Sequence, residues 1–312
     1  MRFFVVIKHK YAAQLHWIAD RRRILFNTFF LLIKSPKSYI WVNGSFRQRG
    51  WKVIPTNIGD DLNSFLLEKI TGKRVFNYSE SYHLFRRRNY MVIGSLIDWK
   101  TNSQSIVWGS GVMNANKELK QQPKRVLAVR GELTKNYLMD HGIDCPKVYG
   151  DPALLLPLVY NCPSTKVHKI GLVPHYVDLY SDTVKRLMRN DGVVLLNVQD
   201  YTSCESFIDL LRSCDIIISS SLHGLIIADA YDIPNVWVKF SDKVIGDDFK
   251  YYDYFTSVNR KSHPIFVNQD TELSSILAGL NNYEHINYNP DRLIASCPFI
   301  DYTALTSLKK YE

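Results

Sequence analysis

The segment Ser219-Ser220-Ser221-Leu222-His223-Gly224 carries the densest chemistry in the chain. An apolar run of strand character, Asp215–Ser219, leads into it, and an apolar helical pattern, Leu225–Asp232, follows. This layout predicts a strand, a tight turn and a helix that begins beside His223. Unpaired backbone N–H groups and the positive end of the dipole favour an anion at such a helix start. Gly224 is expected to let the backbone approach a ligand. An imidazole beside a bound anion retains its proton near neutral pH and can deliver it. The competing reading is a structural His223 that caps a turn.

Further candidates stand where other apolar runs end. Arg130 closes Val126–Val129, Ser110-Gly111 closes Ser105–Trp108, and Lys239 closes Asn235–Val238. The glycines of Trp108-Gly109-Ser110-Gly111-Val112 expose backbone donors as phosphate-cradling loops do, although so short a motif says little alone. His175 follows Val173-Pro174. Asn57 and Asp60 open an amphipathic helical pattern through Leu62, Phe65, Leu66 and Ile70. Either is expected to cap that helix, and Asp60 is also placed to meet a sugar hydroxyl.

The elements that would hold these residues alternate. Short apolar runs at Tyr90–Ile93, Ser105–Trp108 and Val126–Val129 precede a helix over Gly131–His141. A Pro-punctuated stretch from Asp151-Pro152 to Pro163 marks a boundary. A second alternation follows, with strands at Lys169–Val173, Val193–Val198, Asp215–Ser219 and Asn235–Phe240 separated by helices. Strands alternating with helices of this length predict an α/β fold with parallel sheets. The chain thus reads as two Rossmann-like domains, 1–160 and 161–290, with a helical segment at 291–312 packing back on the first. In such sheets ligands bind outside the carboxyl ends of the strands, where every candidate above is placed.

The chain has 312 residues and a formal charge of +9. Ten Lys or Arg and a single Asp fall in residues 1–50, and the remainder balances. A local basic patch attracts phosphate groups or anionic lipid. The apolar stretch Ile24–Ile33 follows Arg21-Arg22-Arg23 directly and is too short to span a bilayer. It reads as a core helix or as an interfacial helix on anionic lipid. The N-terminus lacks a signal-peptide layout. Five irregularly spaced cysteines predict reduced structural thiols in a cytoplasmic protein, and no Cys/His cluster has zinc-ligand spacing. A basic balance confined to one end, with no recognised motif, argues against a nucleic-acid partner.

Five of these motifs together resemble the polysaccharide pyruvyltransferase family. They are Asn57-Ile58-Gly59-Asp60 before a helix, Trp108-Gly109-Ser110-Gly111-Val112, Val129-Arg130-Gly131, Gly150-Asp151-Pro152-Ala153-Leu154, and Ser221-Leu222-His223-Gly224 before an apolar helix. Their order and spacing cover residues 57 to about 255. The resemblance implies two Rossmann-like domains facing across a cleft, the GT-B-like arrangement. It implies transfer of pyruvyl from phosphoenolpyruvate to two hydroxyls of a sugar, with release of phosphate and no metal or redox cofactor. It makes His223 the catalytic acid, and Arg130, Lys239, Ser221 and Gly224 the donor-binding set. Asn57, Gly59, Asp60, Ser110, Gly111 and His175 fall on the acceptor or cleft side. Many members carry a large residue, often Arg, just before the Leu222-His223-Gly224 triplet, where this chain has Ser221. The acceptor class implied is a surface polysaccharide or its polyprenyl-diphosphate-linked precursor, which would place residues 1–50 at the inner face of the plasma membrane. Two other readings share the fold: a GT-B glycosyltransferase using a nucleotide sugar, and a catalytically silent carbohydrate-binding subunit.

Overall fold

Parallel strands need long crossovers, and the helices between the apolar runs supply them. The computed structural model describes residues 18–31, 33, 39–82 and 87–299. Helix α1 (residues 18–31) comes first. The first sheet unit comprises β1 (Tyr39–Val42), a hairpin of β2 (Arg47–Arg49) and β3 (Lys52–Ile54), α2 (Ile58–Thr71), β4 (Arg74–Asn77), β5 (Asn89–Met91), α3 (Ile97–Lys100), β6 (Ser105–Trp108), β7 (Arg125–Ala128) and α4 (Glu132–Asp140). The second comprises β8 (His168–Val173), α5 (Asp182–Leu187), β9 (Val193–Leu195), α6 (Cys204–Arg212), β10 (Cys214–Ser219), α7 (Leu222–Ala230), β11 (Asn235–Lys239), α8 (Phe249–Ser257), β12 (Ile265–Phe266), α9 (Leu273–Leu277) and α10 (Asp291–Ala295).

The two five-stranded sheets are parallel throughout, ordered β4-β1-β5-β6-β7 and β12-β11-β10-β8-β9. Ranked within its own unit, each sheet has the order second, first, third, fourth, fifth. The winding therefore reverses between β1 and β5 in one sheet and between β8 and β10 in the other. A crevice opens at such a reversal, because the connections on its two sides leave in opposite directions.

The stretch expected to be a proline-marked boundary is partly core. Pro152–Leu158 form a 3₁₀ helix with Ala153, Leu155 and Leu156 fully buried, and it packs on α7. The exposed connection is residues 161–167. One apolar cluster runs through both units, joining Val42, Leu62 and Leu66 to Phe207, Ile217 and Leu225. The Ile58 amide also donates to the Val198 carbonyl at 2.8 Å across this junction. Toward the C-terminus, the Trp108 indole donates to the Leu293 carbonyl at 3.0 Å, and Phe299 stacks edge-on against Tyr90. Of the helix expected over 291–312, the described part is Asp291–Ala295, and residues 300–312 lie outside the described residues. All five cysteines are free. No described helix is long and apolar enough to cross a membrane.

Candidate active site

Both winding reversals open onto one cavity of about 180 Å³. The loops after β1 and β5 line it with Ser45, Gly94 and Ser95, the loops after β8 and β10 with His175 and Ser221, and the first turn of α7 with His223. The start of α2 adds Asn57 and Asp60, and α8 adds Lys250.

The serine turn is built by its own hydroxyls. Ser219 Oγ accepts from the Ser221 amide at 3.0 Å and donates to the Val173 carbonyl at 3.1 Å. Ser220 Oγ accepts from the His175 amide at 2.8 Å, which ties the β8 and β10 loops together. Tyr251 of α8 donates to the Ser220 carbonyl. Ser221 is left at the N-cap of α7 without a side-chain cap bond, facing the cavity.

The His223 side chain is 13% exposed. Its Nε2 lies 3.8 Å from Oδ2 of Asp151, and each of these two atoms is buried without a hydrogen-bond partner. Asp151 is held in place because its other oxygen caps the 3₁₀ helix, accepting from the Ala153 amide at 3.0 Å. Nδ1 rests against Gly59, where an added methyl would overlap the ring. The glycine at this point of α2 is therefore a steric requirement of the imidazole. Burial, then Arg130, then Lys250, pushes His223 down to about 3, so its imidazole is neutral in the free protein. Burial pushes Asp151 up to about 6.

Two further ionisable groups face the cavity without a hydrogen bond or ion pair among the described residues. The Lys250 side chain is buried, and its ammonium, 5.3 Å from the centre of the Tyr251 ring, has no hydrogen bond or ion pair among the described residues. Burial and the nearby Arg130 push it down to about 8, while Asp248 and Asp60 oppose the shift. The Asp60 carboxylate likewise has no hydrogen-bond partner among the described residues. Burial and its neighbour Asp61 push it up to about 7. Asp61 itself is committed to structure, accepting from Tyr201 and from the Thr56 amide.

Arg130 is fully buried behind this cavity. It donates through Nε to Asp253 at 2.9 Å, through Nη1 to Ser95 at 2.5 Å and through Nη2 to the Val112 carbonyl at 3.0 Å. Its expected direct grip on a donor is therefore revised to a charge acting through the wall. The same correction applies to the glycine loop. The Ser110 hydroxyl donates to the Gly94 carbonyl, and a methyl on Gly111 would overlap the Arg130 guanidinium, so both residues support Arg130 and neither lines the cavity. Gly224 admits structure in place of ligand, since a Cβ there would strike Ser219 and Val173. Lys239 points elsewhere, paired with Asp248 at 3.1 Å and Asp242 at 3.5 Å. His175 does line the cavity, and burial with Lys250 nearby pushes it down to about 3.

Sequence reasoning missed Lys250 and Asp151. Lys250 sits in an aromatic helix, Phe249–Ser257, whose second buried charge, Asp253, pairs with Arg130. Two opposite charges three apart among tyrosines were the available signal. Asp151 read as loop punctuation because a proline follows it. Beyond Asp60 the cavity continues into a second, of about 490 Å³, lined by Arg47, Thr56, Asn57, Tyr176 and Gln199.

A family model described as polysaccharide pyruvyl transferase matches residues 9–242. An uncharacterized protein of Acanthamoeba polyphaga mimivirus is 30% identical over 218 residues, 64% of this chain and 70% of that protein. The crystal structure of an uncharacterized Klebsiella pneumoniae protein aligns at a TM-score of 0.43 with 15% identity, covering 76% of this chain and 96% of the other.

Proposed function

This chain belongs to the polysaccharide pyruvyl transferase family, and from that premise we propose that it transfers pyruvyl from phosphoenolpyruvate onto two hydroxyls of a sugar. The acceptor is a surface polysaccharide or its lipid-linked repeat unit, the product a cyclic pyruvate ketal, and phosphate departs. Phosphoenolpyruvate is a co-substrate, and no other cofactor enters this route. The observation that carries the reading is the meeting of His223 with the unpaired Lys250 ammonium and the unpaired Asp60 carboxylate in one small cavity. A cavity of about 180 Å³ has room for a compact anion and leaves the adjoining cavity of about 490 Å³ to the acceptor. The two sheet units then act as the facing domains of a GT-B-like arrangement, with the acceptor in the larger adjoining cavity. The protein works at the cytoplasmic side of the membrane.

The charge balance of the site sets the order of events. In the free protein His223 is neutral, first because it is buried and then because Arg130 and Lys250 lie near it. A donor that brings a carboxylate and a phosphate offsets those cations and places negative charge beside the imidazole, which favours its protonated form as the donor seats. Lys250 pairs with the donor, and the orphan amides at the start of α7 and the Ser221 hydroxyl supply neutral donors. Asp151 holds Nε2–H and leaves Nδ1 to carry the transferable proton, a bond expected to tighten from 3.8 Å in the complex. His223 protonates the methylene carbon, converting it to a methyl group and leaving an oxocarbenium centre. The first hydroxyl attacks that centre while Asp60 takes its proton. The carbon–oxygen bond to phosphate then breaks. The second hydroxyl closes the ring, and its proton leaves with the phosphate as hydrogen phosphate.

The test is incubation with phosphoenolpyruvate and a candidate oligosaccharide. Mass spectrometry should register one ketal-linked pyruvate, with one inorganic phosphate released per product. His223→Gln should bind donor and form no product. Nucleotide release from a nucleotide sugar, or sugar binding with no donor consumed, would replace this reading.

A further inference from the structure

The exposed face of α1 is apolar. Among the described residues from 23 to 33, the exposed side chains are Leu25, Phe26, Phe29 and Ile33. Phe29 is 65% exposed and Ile33 83%. Their spacing of one, three and four residues puts all four on one stripe. The opposite face is anchored by polar contacts that fix the helix in this orientation. Asn27 is fully buried, donates to the carbonyls of Gln48 and Glu80, and accepts from the Gly50 amide. Arg23 forms a bidentate pair with Glu80.

Positive charge surrounds the stripe. Arg22 precedes it on the same face of the helix. The alternation of β2 turns Arg47 and Arg49 outward, and the Arg49 guanidinium lies 5.2 Å from the centre of the Phe26 ring. Asp20 is the one acidic residue among the first 50, and its carboxylate is divided between Arg23 at 2.6 Å and Arg47 at 3.9 Å.

We infer that α1 lies in the surface of an anionic bilayer, with Leu25, Phe26, Phe29 and Ile33 among the acyl chains and Arg22, Arg47 and Arg49 at the headgroups. Contiguous exposed aromatic and aliphatic side chains rimmed by arginine are the pattern of an interfacial helix. Water gives such a face no compensation, whereas a lipid surface buries the stripe and attracts its rim. A second copy of the chain fits less well, because stripe against stripe would bring the arginine rims together. The placement has a consequence for the proposed reaction. Arg47 borders both the α1 face and the 490 Å³ cavity, so a membrane-bound acceptor would enter beside the headgroups. That consequence rests on the function proposed above, whereas the lipid contact does not.

The test is flotation of the full chain with vesicles of phosphatidylcholine alone and of phosphatidylcholine mixed with phosphatidylglycerol. The wild type should float with the anionic vesicles and remain at the bottom with the neutral ones. Phe29→Glu combined with Ile33→Glu should abolish flotation while leaving the far-ultraviolet circular dichroism spectrum unchanged. The milder pair Leu25→Ser and Phe29→Ser should weaken it. Reversing Arg22 or Arg49 to Glu should cost at least roughly fivefold in vesicle affinity each. The inference is overturned if the wild type does not float with anionic vesicles, or if the double glutamate variant floats as well as the wild type. It is also overturned if sedimentation shows a wild-type dimer that the same pair splits while vesicle binding is unaffected. Phosphoenolpyruvate consumption with a soluble oligosaccharide should be the same in all these variants, so failure of the lipid contact and failure of the proposed reaction read out separately.

Discussion

Burial and the neighbouring cations hold His223 down to about 3, and the sign of that shift makes three side chains testable. A methyl at position 59 would occupy the space of Nδ1. Gly59→Ala should therefore displace His223, the proposed acid, and lower kcat by about 10²–10⁴-fold, the range of general acid catalysis. The same variant should lose about 1–3 kcal/mol of stability, because the added methyl falls on a buried ring. Lys250 has its proton affinity lowered, to about 8. It is charged below that pH and neutral above it, so donor affinity should fall as pH rises through about 8. Lys250→Arg should keep donor affinity level across that window, because the guanidinium stays charged. Asp60 is shifted the other way, to about 7. It must be ionised to take a hydroxyl proton in the proposed reaction, so kcat/KM should rise with pH through about 7. Asp60→Asn should remove both that limb and most of the rate. A profile unchanged by either substitution would take the residue out of the site.

Elements explain why some of this was legible and some was not. The turn after β10 could be read because an apolar strand, three serines and a His-Gly pair follow one another within eleven residues. The alternation likewise predicted two parallel sheets, since period and punctuation are local. What each charged residue faces is not local. Arg130 and Asp253 are 123 positions apart, and only the seating of α8 against α4 brings them together. That contact took Arg130 from the cavity and gave Lys250 to it. Strands as short as β4 and β12 carry too little pattern to stand out, and the 3₁₀ helix at Pro152–Leu158 was hidden by its prolines. The α8 seating can be measured. Asp253 accepts from Arg130 and from the amide and hydroxyl of Thr134, with both ionic side chains fully buried. Asp253→Ala should leave the guanidinium uncompensated and cost about 3–5 kcal/mol in denaturant unfolding. Arg130→Met combined with Asp253→Leu should recover much of that loss, because the pair is then replaced by apolar volume.

At the scale of the molecule, the question is whether the two sheet units behave as one body. Two Rossmann-like units joined by an exposed connection at 161–167 could each carry a separate core and move freely. The apolar side chains do otherwise. One buried cluster includes residues of β1 and α2 with residues of α6, β10 and α7. The 3₁₀ helix, whose Asp151 cap faces His223, is wedged between α2 and α7 within it. Separating the units would therefore expose core and pull Asp151 away from His223 in the same motion. Calorimetry should show a single unfolding transition, with the enthalpy obtained from its shape equal to the area under it. Phosphoenolpyruvate at a hundred times its dissociation constant should stabilise that one transition by about 2.7 kcal/mol. Lys250→Met should abolish the ligand-dependent shift without splitting the transition, because in the proposed reaction the ammonium pairs with the donor, and it takes no part in joining the units. Two resolved transitions in the wild type, only one of them moved by donor, would mean that the acid and its aspartate are brought together by ligand and not by the core.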